Sequence, residues 1–180
     1  PHEHDFGWGV SKEDQAMRLY AAFDLMDELV VSGEPHLTPQ LFHGAEEGFA
    51  QLKDIGHTLA IITSKEEAPF CHMMEYHNLY TLFSAHRTAG DIKSRGEKEK
   101  PAPDMLVSVM RELNFTPDET VMIGDSTMDM MMGRDAKTST IGVTWGAHPK
   151  HRLVEAGAQL IVDTDFGDVV HAVKGVFEWR

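Results

Sequence analysis

The feature that most restricts the fold of this chain is a pair of short apolar runs, Thr58 to Thr63 and Thr120 to Gly124, each set between segments of helical periodicity. Runs of five or six residues suit a strand covered on both faces better than a buried helix. Ahead of the first run, Gly44 to Ile55 carries an amphipathic pattern that stops at Gly56. After it, Glu66 to Tyr76 reads as a helix, Phe83 to His86 as a short strand, Ala89 to Lys100 as a polar loop and Pro103 to Asn114 as a helix. Beyond the second run come a helix over Asp129 to Asp135, a strand over Ser139 to Thr144 and a helix over Lys150 to Ala156. A last strand over Gln159 to Val162 and a closing helix over Phe166 to Phe177 complete the series. Strands alternating with helices predict an α/β fold with a doubly wound, Rossmann-like parallel sheet. Ligands of such sheets bind at the carboxyl ends of strands, so the residues after Thr63 and Gly124 are the first candidates for chemistry.

The N-terminal stretch reads differently. Ser11 to Val31 carries apolar residues at Ala16, Leu19, Phe23, Met26 and Val30, the spacing of an amphipathic helix, with Ser11 and Asp14 resembling a capping box. Ser32 to Pro35 then reads as a break. The expected organisation is therefore a helical segment over 1–35 and an α/β core over 36–180.

Composition narrows the partners. Sixteen Lys and Arg against 29 Asp and Glu give a formal net charge of −13, which argues against a nucleic-acid partner. The densest basic cluster, Lys93 to Lys100, is interleaved with Glu97 and Glu99. No apolar stretch approaches the roughly 20 residues that a membrane-spanning helix needs, so no membrane is expected. A single cysteine, Cys71, and an N-terminus without the basic-then-apolar order of a secretory signal point to the cytoplasm. Cys71 reads as a structural thiol, and the eleven histidines lack the spacing of a zinc site. Met128, Met130, Met131 and Met132 read as core filling, Trp145 as packing and His148 as solvent-facing.

Three short elements carry chemistry. Thr63, Ser64 and Lys65 follow the first strand, where a hydroxyl and turn amides can hold an anion; an N-cap role for Thr63 is the bland alternative. Lys100 precedes a proline-opened helix and can offset phosphoryl charge, although its place in the loop does not separate it from Lys93 and Lys98. Asp125 and Asp129 leave the second strand four residues apart, hard oxygen donors of the kind that suits Mg²⁺; Asp125 or Ser126 capping the next helix is the alternative.

Together, at these separations, the three elements resemble the haloacid dehalogenase superfamily, from about Leu41 to Val170, with details similar to its phosphoglycolate phosphatase branch. Further likenesses are Leu41 to Gly44, Gly142 to Gly146 and Glu155 to Ala158. The resemblance implies Thr63, Ser64 and Lys100 as substrate-binding residues, Thr63 and Lys100 as catalytic ones, Asp125 and Asp129 as ligands of a Mg²⁺ cofactor, and a small phosphorylated metabolite as substrate. It also implies a first motif, Asp-x-Asp-Gly-Thr, holding the attacking aspartate and the aspartate that serves as general acid and base.

That string is absent from this chain. One explanation is a chain that starts inside a helical cap, with Ser11 to Val31 as the cap's last helix. Another is a degenerate motif at Phe23 to Val30, although its aspartates, Asp24 and Asp27, stand three apart instead of two and, with Glu28, fall on the polar side of the helical pattern. A third consideration is physical: the first strand of such a sheet lies in its middle, and an empty slot there strands backbone hydrogen-bonding groups. Arg18 to Asp24 as a strand, a segment of a partner chain in a swapped homodimer, direct pairing of the flanking strands or an additional N-terminal part would each fill it. The functions that follow are a magnesium-dependent phosphatase, a non-catalytic binding or assembly domain, or a phosphosugar mutase-like protein.

Overall fold

The computed structural model describes residues 19–22 and 41–178. Six parallel strands form one sheet: β1 (Leu19–Ala22), β2 (Thr58–Ile62), β3 (Phe83–Arg87), β4 (Thr120–Gly124), β5 (Ser139–Val143) and β6 (Leu160–Val162). Their spatial order is β3-β2-β1-β4-β5-β6. Among the described residues seven α-helices accompany them: α1 (Ala45–Asp54), α2 (Glu67–Tyr76), α3 (Ala89–Arg95), α4 (Asp104–Leu113), α5 (Thr127–Asp135), α6 (Lys150–Ala156) and α7 (Phe166–Glu178). This is the doubly wound α/β sheet that the alternation predicts.

The strands read as continuous apolar runs because both faces are covered. On β2, Leu59 and Ile61 join the cluster of Phe49, Leu52, Phe70, Phe166, Val169 and Val173, whereas Ala60 and Ile62 join Met105, Leu106, Val109 and Met132 on the opposite face. β4 repeats the division, with Val121 and Ile123 on the first side and Met122 on the second. Helix α1 approaches α7 through Gly48, where an added Cβ would lie 2.2 Å from the Phe166 ring. Phe49 meets the same ring edge-on at a centroid distance of 4.8 Å.

Two expectations are corrected here. The helix over Ser11 to Val31 gives way, at Leu19–Ala22, to the central strand. Ala21 stands opposite both Ala60 and Met122, so this chain's own segment supplies the backbone pairing that β2 and β4 need. A partner's segment, or direct pairing of β2 with β4, is therefore not required to complete the sheet, and of the alternatives for the central slot it is the strand within Arg18 to Asp24 that fills it. Phe23 to Val31, with Asp24, Asp27 and Glu28, lies outside the described residues, as does the remainder of 1–35. The second correction is the polar loop over Ala89 to Lys100, whose first half is α3. Its start is fixed by Thr88, whose backbone N–H and hydroxyl both donate to Asp91 Oδ2, at 3.0 and 3.2 Å.

Burial pushes the Asp91 carboxyl up, but the bonds from Thr88, with Arg95 nearby, outweigh it and leave the group below its ordinary value. A carboxyl lowered on folding adds stability above its unfolded value and loses it as the pH falls through the folded one. Replacing Thr88 by Ala is expected to cost about 1 kcal/mol at neutral pH. In urea titrations at descending pH, the difference from wild type should shrink once Asp91 protonates.

Candidate active site

Thr63 follows β2 directly and Asp125 follows β4, the two strands that flank β1. Parallel strands sit about 4.8 Å apart, so the two positions face one another across a gap of roughly 10 Å at the carboxyl edge of the sheet. That span suits a phosphoryl group with a cation beside it.

Thr63 is buried; its N–H donates to the Arg87 carbonyl at 2.9 Å and its Oγ1 accepts from the Lys65 N–H at 3.1 Å. The hydroxyl thus shapes the turn itself, and the N-cap of α2 falls to Glu66, with Ser64 exposed between them. Next to it Arg87, only 2% exposed, donates to the His86 carbonyl and to Ser108 and pairs with Glu112 at 2.5 Å, fastening β3 to α4.

The structure separates the three lysines, with Lys93 on α3 and Lys98 and Lys100 in the loop beyond it. Lys93 and Lys98 are exposed, whereas the Lys100 side chain is 2% exposed and its Nζ lies 2.7 Å from Asp129 Oδ1, a carboxylate with no exposure at all. Asp129 Oδ2 accepts from the Ser126 hydroxyl at 2.6 Å and from its N–H at 3.2 Å, while the Asp129 N–H returns to Ser126 Oγ. Ser126 caps α5, as the bland alternative has it, and Asp129 completes that box while anchoring the lysine.

Asp125 is only partly buried. Its Oδ2 accepts the Ala147 N–H at 2.7 Å and its carbonyl accepts the His148 N–H at 3.0 Å. A partly exposed carboxylate at a strand end is a hard donor for Mg²⁺, which takes one or two carboxylates and completes its shell with water and phosphate oxygens. The donor set fits that demand through Asp125. Among the described residues no group of three His, Cys, Asp or Glu side chains is gathered for a metal, so an all-protein cage is not built from them. Both oxygens of Asp129 are engaged, one by Lys100 and the other by Ser126.

The turn after β5 meets the turn after β4. His148 is only partly exposed, and its Nδ1 accepts the Thr127 N–H at 3.2 Å. Trp145 packs edge-on against Phe42, at a centroid distance of 6.3 Å. The Gly142 to Gly146 string marks this turn without revealing which strand it serves. Met130 and Met132 are core residues as expected, but Met128 is 43% exposed at the start of α5.

Residues 13–143 match the family described as haloacid dehalogenase-like hydrolase. This chain belongs to that family. Its haloacid dehalogenase-like core is 36% identical over 163 residues to the "Probable phosphatase IndB" of Dickeya dadantii, a match covering 91% of this chain and 66% of that protein. It is 31% identical over 137 residues to a phosphoglycolate phosphatase of Colwellia psychrerythraea, covering 74% of this chain and 57% of the relative. The chain therefore spans roughly three fifths of the length of the curated relatives it matches. A hydrolase of Pseudomonas syringae has the same fold, with a TM-score of 0.66 at 23% identity, over 75% of this chain and 60% of that one. Among the described residues, no helix is long and apolar enough to cross a membrane.

Proposed function

We propose that this haloacid dehalogenase-like hydrolase is a magnesium-dependent phosphatase acting on small phosphate monoesters, as its phosphoglycolate phosphatase relatives are named. The observation that carries the reading is β1 in the slot between β2 and β4. Ala22 stands opposite Ile61 and Ala21 opposite Met122, so the chain leaves β1 between the strands that run into Thr63 and Asp125. Asp24 is the first carboxylate after β1. It is the attacking group in this proposal, despite the altered string around it.

Each residue then has a task. Thr63 and Ser64 offer hydroxyl and amide donors to the phosphoryl oxygens. Lys100, held rigidly by Asp129, sets a positive charge beside them. Asp125 holds the cation, with Asp129 acting through Lys100 and Ser126. Bound Mg²⁺ supplies Lewis-acid withdrawal of charge from the phosphoryl group. An Asp24 carboxylate oxygen bonds to phosphorus as the ester oxygen leaves with the bond's electron pair. Water then splits the resulting acyl phosphate, releasing inorganic phosphate and restoring the carboxylate.

The residue two beyond Asp24 is Met26, where the family has its proton-donating aspartate. A missing general acid costs about 10² to 10⁴ in rate for a leaving group that must be protonated, and little for one that need not be. Hydrolysis of para-nitrophenyl phosphate is therefore expected to require Mg²⁺, stop with a chelator, and exceed hydrolysis of an alkyl phosphate by about a hundredfold. A folded protein that releases no phosphate from either ester would favour a binding role instead.

A further inference from the structure

We infer that His148 is a positioning residue for Asp125, joining the turn after β5 to the turn after β4 so that the carboxylate is presented to a cation in one orientation. The inference rests on the proposal that Asp125 holds Mg²⁺.

Hydrogen bonds cross between the two turns. Ala147 donates its N–H to Asp125 Oδ2 at 2.7 Å, His148 donates its N–H to the Asp125 carbonyl at 3.0 Å, and Thr127 donates its N–H to His148 Nδ1 at 3.2 Å. The third is the one that depends on the His148 side chain. Thr127 is the first residue of α5, where the backbone N–H has no partner within the helix, and the imidazole supplies an acceptor. A ring nitrogen that accepts carries no proton, so this bond specifies the tautomer with its hydrogen on Nε2.

The fit of the turn against the carboxylate is close. A Cβ built on Gly146 would lie 1.8 Å from Asp125 Oδ2 and 2.5 Å from its Cγ. Glycine is required there for space: its backbone runs directly over the carboxylate. With the backbone of residues 146–148 lying over Asp125 and the His148 ring tied to α5, the carboxylate has little freedom to rotate. Groups that orient a ligand in this way typically change metal affinity 10- to 100-fold when removed.

The test compares wild type, Asp125→Ala, His148→Ala, His148→Asn and Gly146→Ala by Mn²⁺ binding, followed by electron paramagnetic resonance, with urea midpoints on the same samples. His148→Ala is expected to weaken Mn²⁺ about 10- to 100-fold. His148→Asn, whose Oδ1 can accept from Thr127, should recover most of the loss. Gly146→Ala should match His148→Ala, because its Cβ displaces the carboxylate; if His148→Ala fails to fold, His148→Asn and Gly146→Ala carry the comparison. Wild type that binds no Mn²⁺, or binds it equally well as Asp125→Ala, overturns the metal reading of Asp125. Binding that depends on Asp125 but not on His148 or Gly146 leaves that reading standing and overturns the positioning role.

Discussion

Replacing Asp129 by Ala is expected to destabilise the protein by about 3–5 kcal/mol, because it leaves a buried ammonium without its counter-charge. The Lys100 side chain is 2% exposed and its Nζ has Asp129 Oδ1 at 2.7 Å. The same change removes the carboxylate that Ser126 uses in the cap of α5, adding about 1 kcal/mol. Against the roughly 5–15 kcal/mol that holds a domain of this size together, that loss is severe. The double variant Lys100→Met, Asp129→Leu should recover much of it, since apolar side chains of similar volume often replace a buried ion pair at little cost. Urea unfolding of the three proteins measures both steps. A single variant within 1 kcal/mol of wild type would mean that the pair is not sealed from water.

Asp125→Ala should do the reverse, sparing the fold and removing turnover. Asp125 is partly exposed, and the Ala147 backbone N–H that its side chain accepts lies at an exposed turn where water can replace the carboxylate. If Asp125 holds the cation, several kcal/mol of charge stabilisation go with it, about a thousandfold in kcat. The expected pattern is a near-native urea midpoint with para-nitrophenyl phosphate hydrolysis close to background. Equal loss of stability and activity would assign Asp125 to the scaffold.

The contrast between these two carboxylates is a point that spacing alone leaves open. Gly124, Asp125, Ser126 and Asp129 are legible as a unit, because an apolar run delivers two carboxylates four residues apart around one turn. Which of them faces the site and which is buried depends on Lys100, 29 residues earlier in the chain. For the same reason the three lysines of that loop look alike until folding brings one of them to α5. The strands β2 to β6 were legible because covering a parallel sheet on both faces leaves unbroken apolar runs. β1 admits two readings through a coincidence of period: Leu19, Phe23 and Met26 satisfy helical spacing, while Leu19 to Phe23 is also a continuous apolar run within the strand alternative over Arg18 to Asp24. Only the demand of β2 and β4 for a neighbour decides between them. α3 was missed because Thr88 and Asp91, its cap, sit in a stretch otherwise rich in Gly, Lys and Ser.

The most direct test of the proposal that this chain carries its own attacking group is magnesium-dependent hydrolysis of para-nitrophenyl phosphate by wild type and by Asp24→Asn, with the intact mass of each sample recorded. Turnover by wild type that falls to background in Asp24→Asn, at an unchanged urea midpoint, is the predicted result. Turnover that survives the substitution, or a folded wild type that shows none, would contradict it.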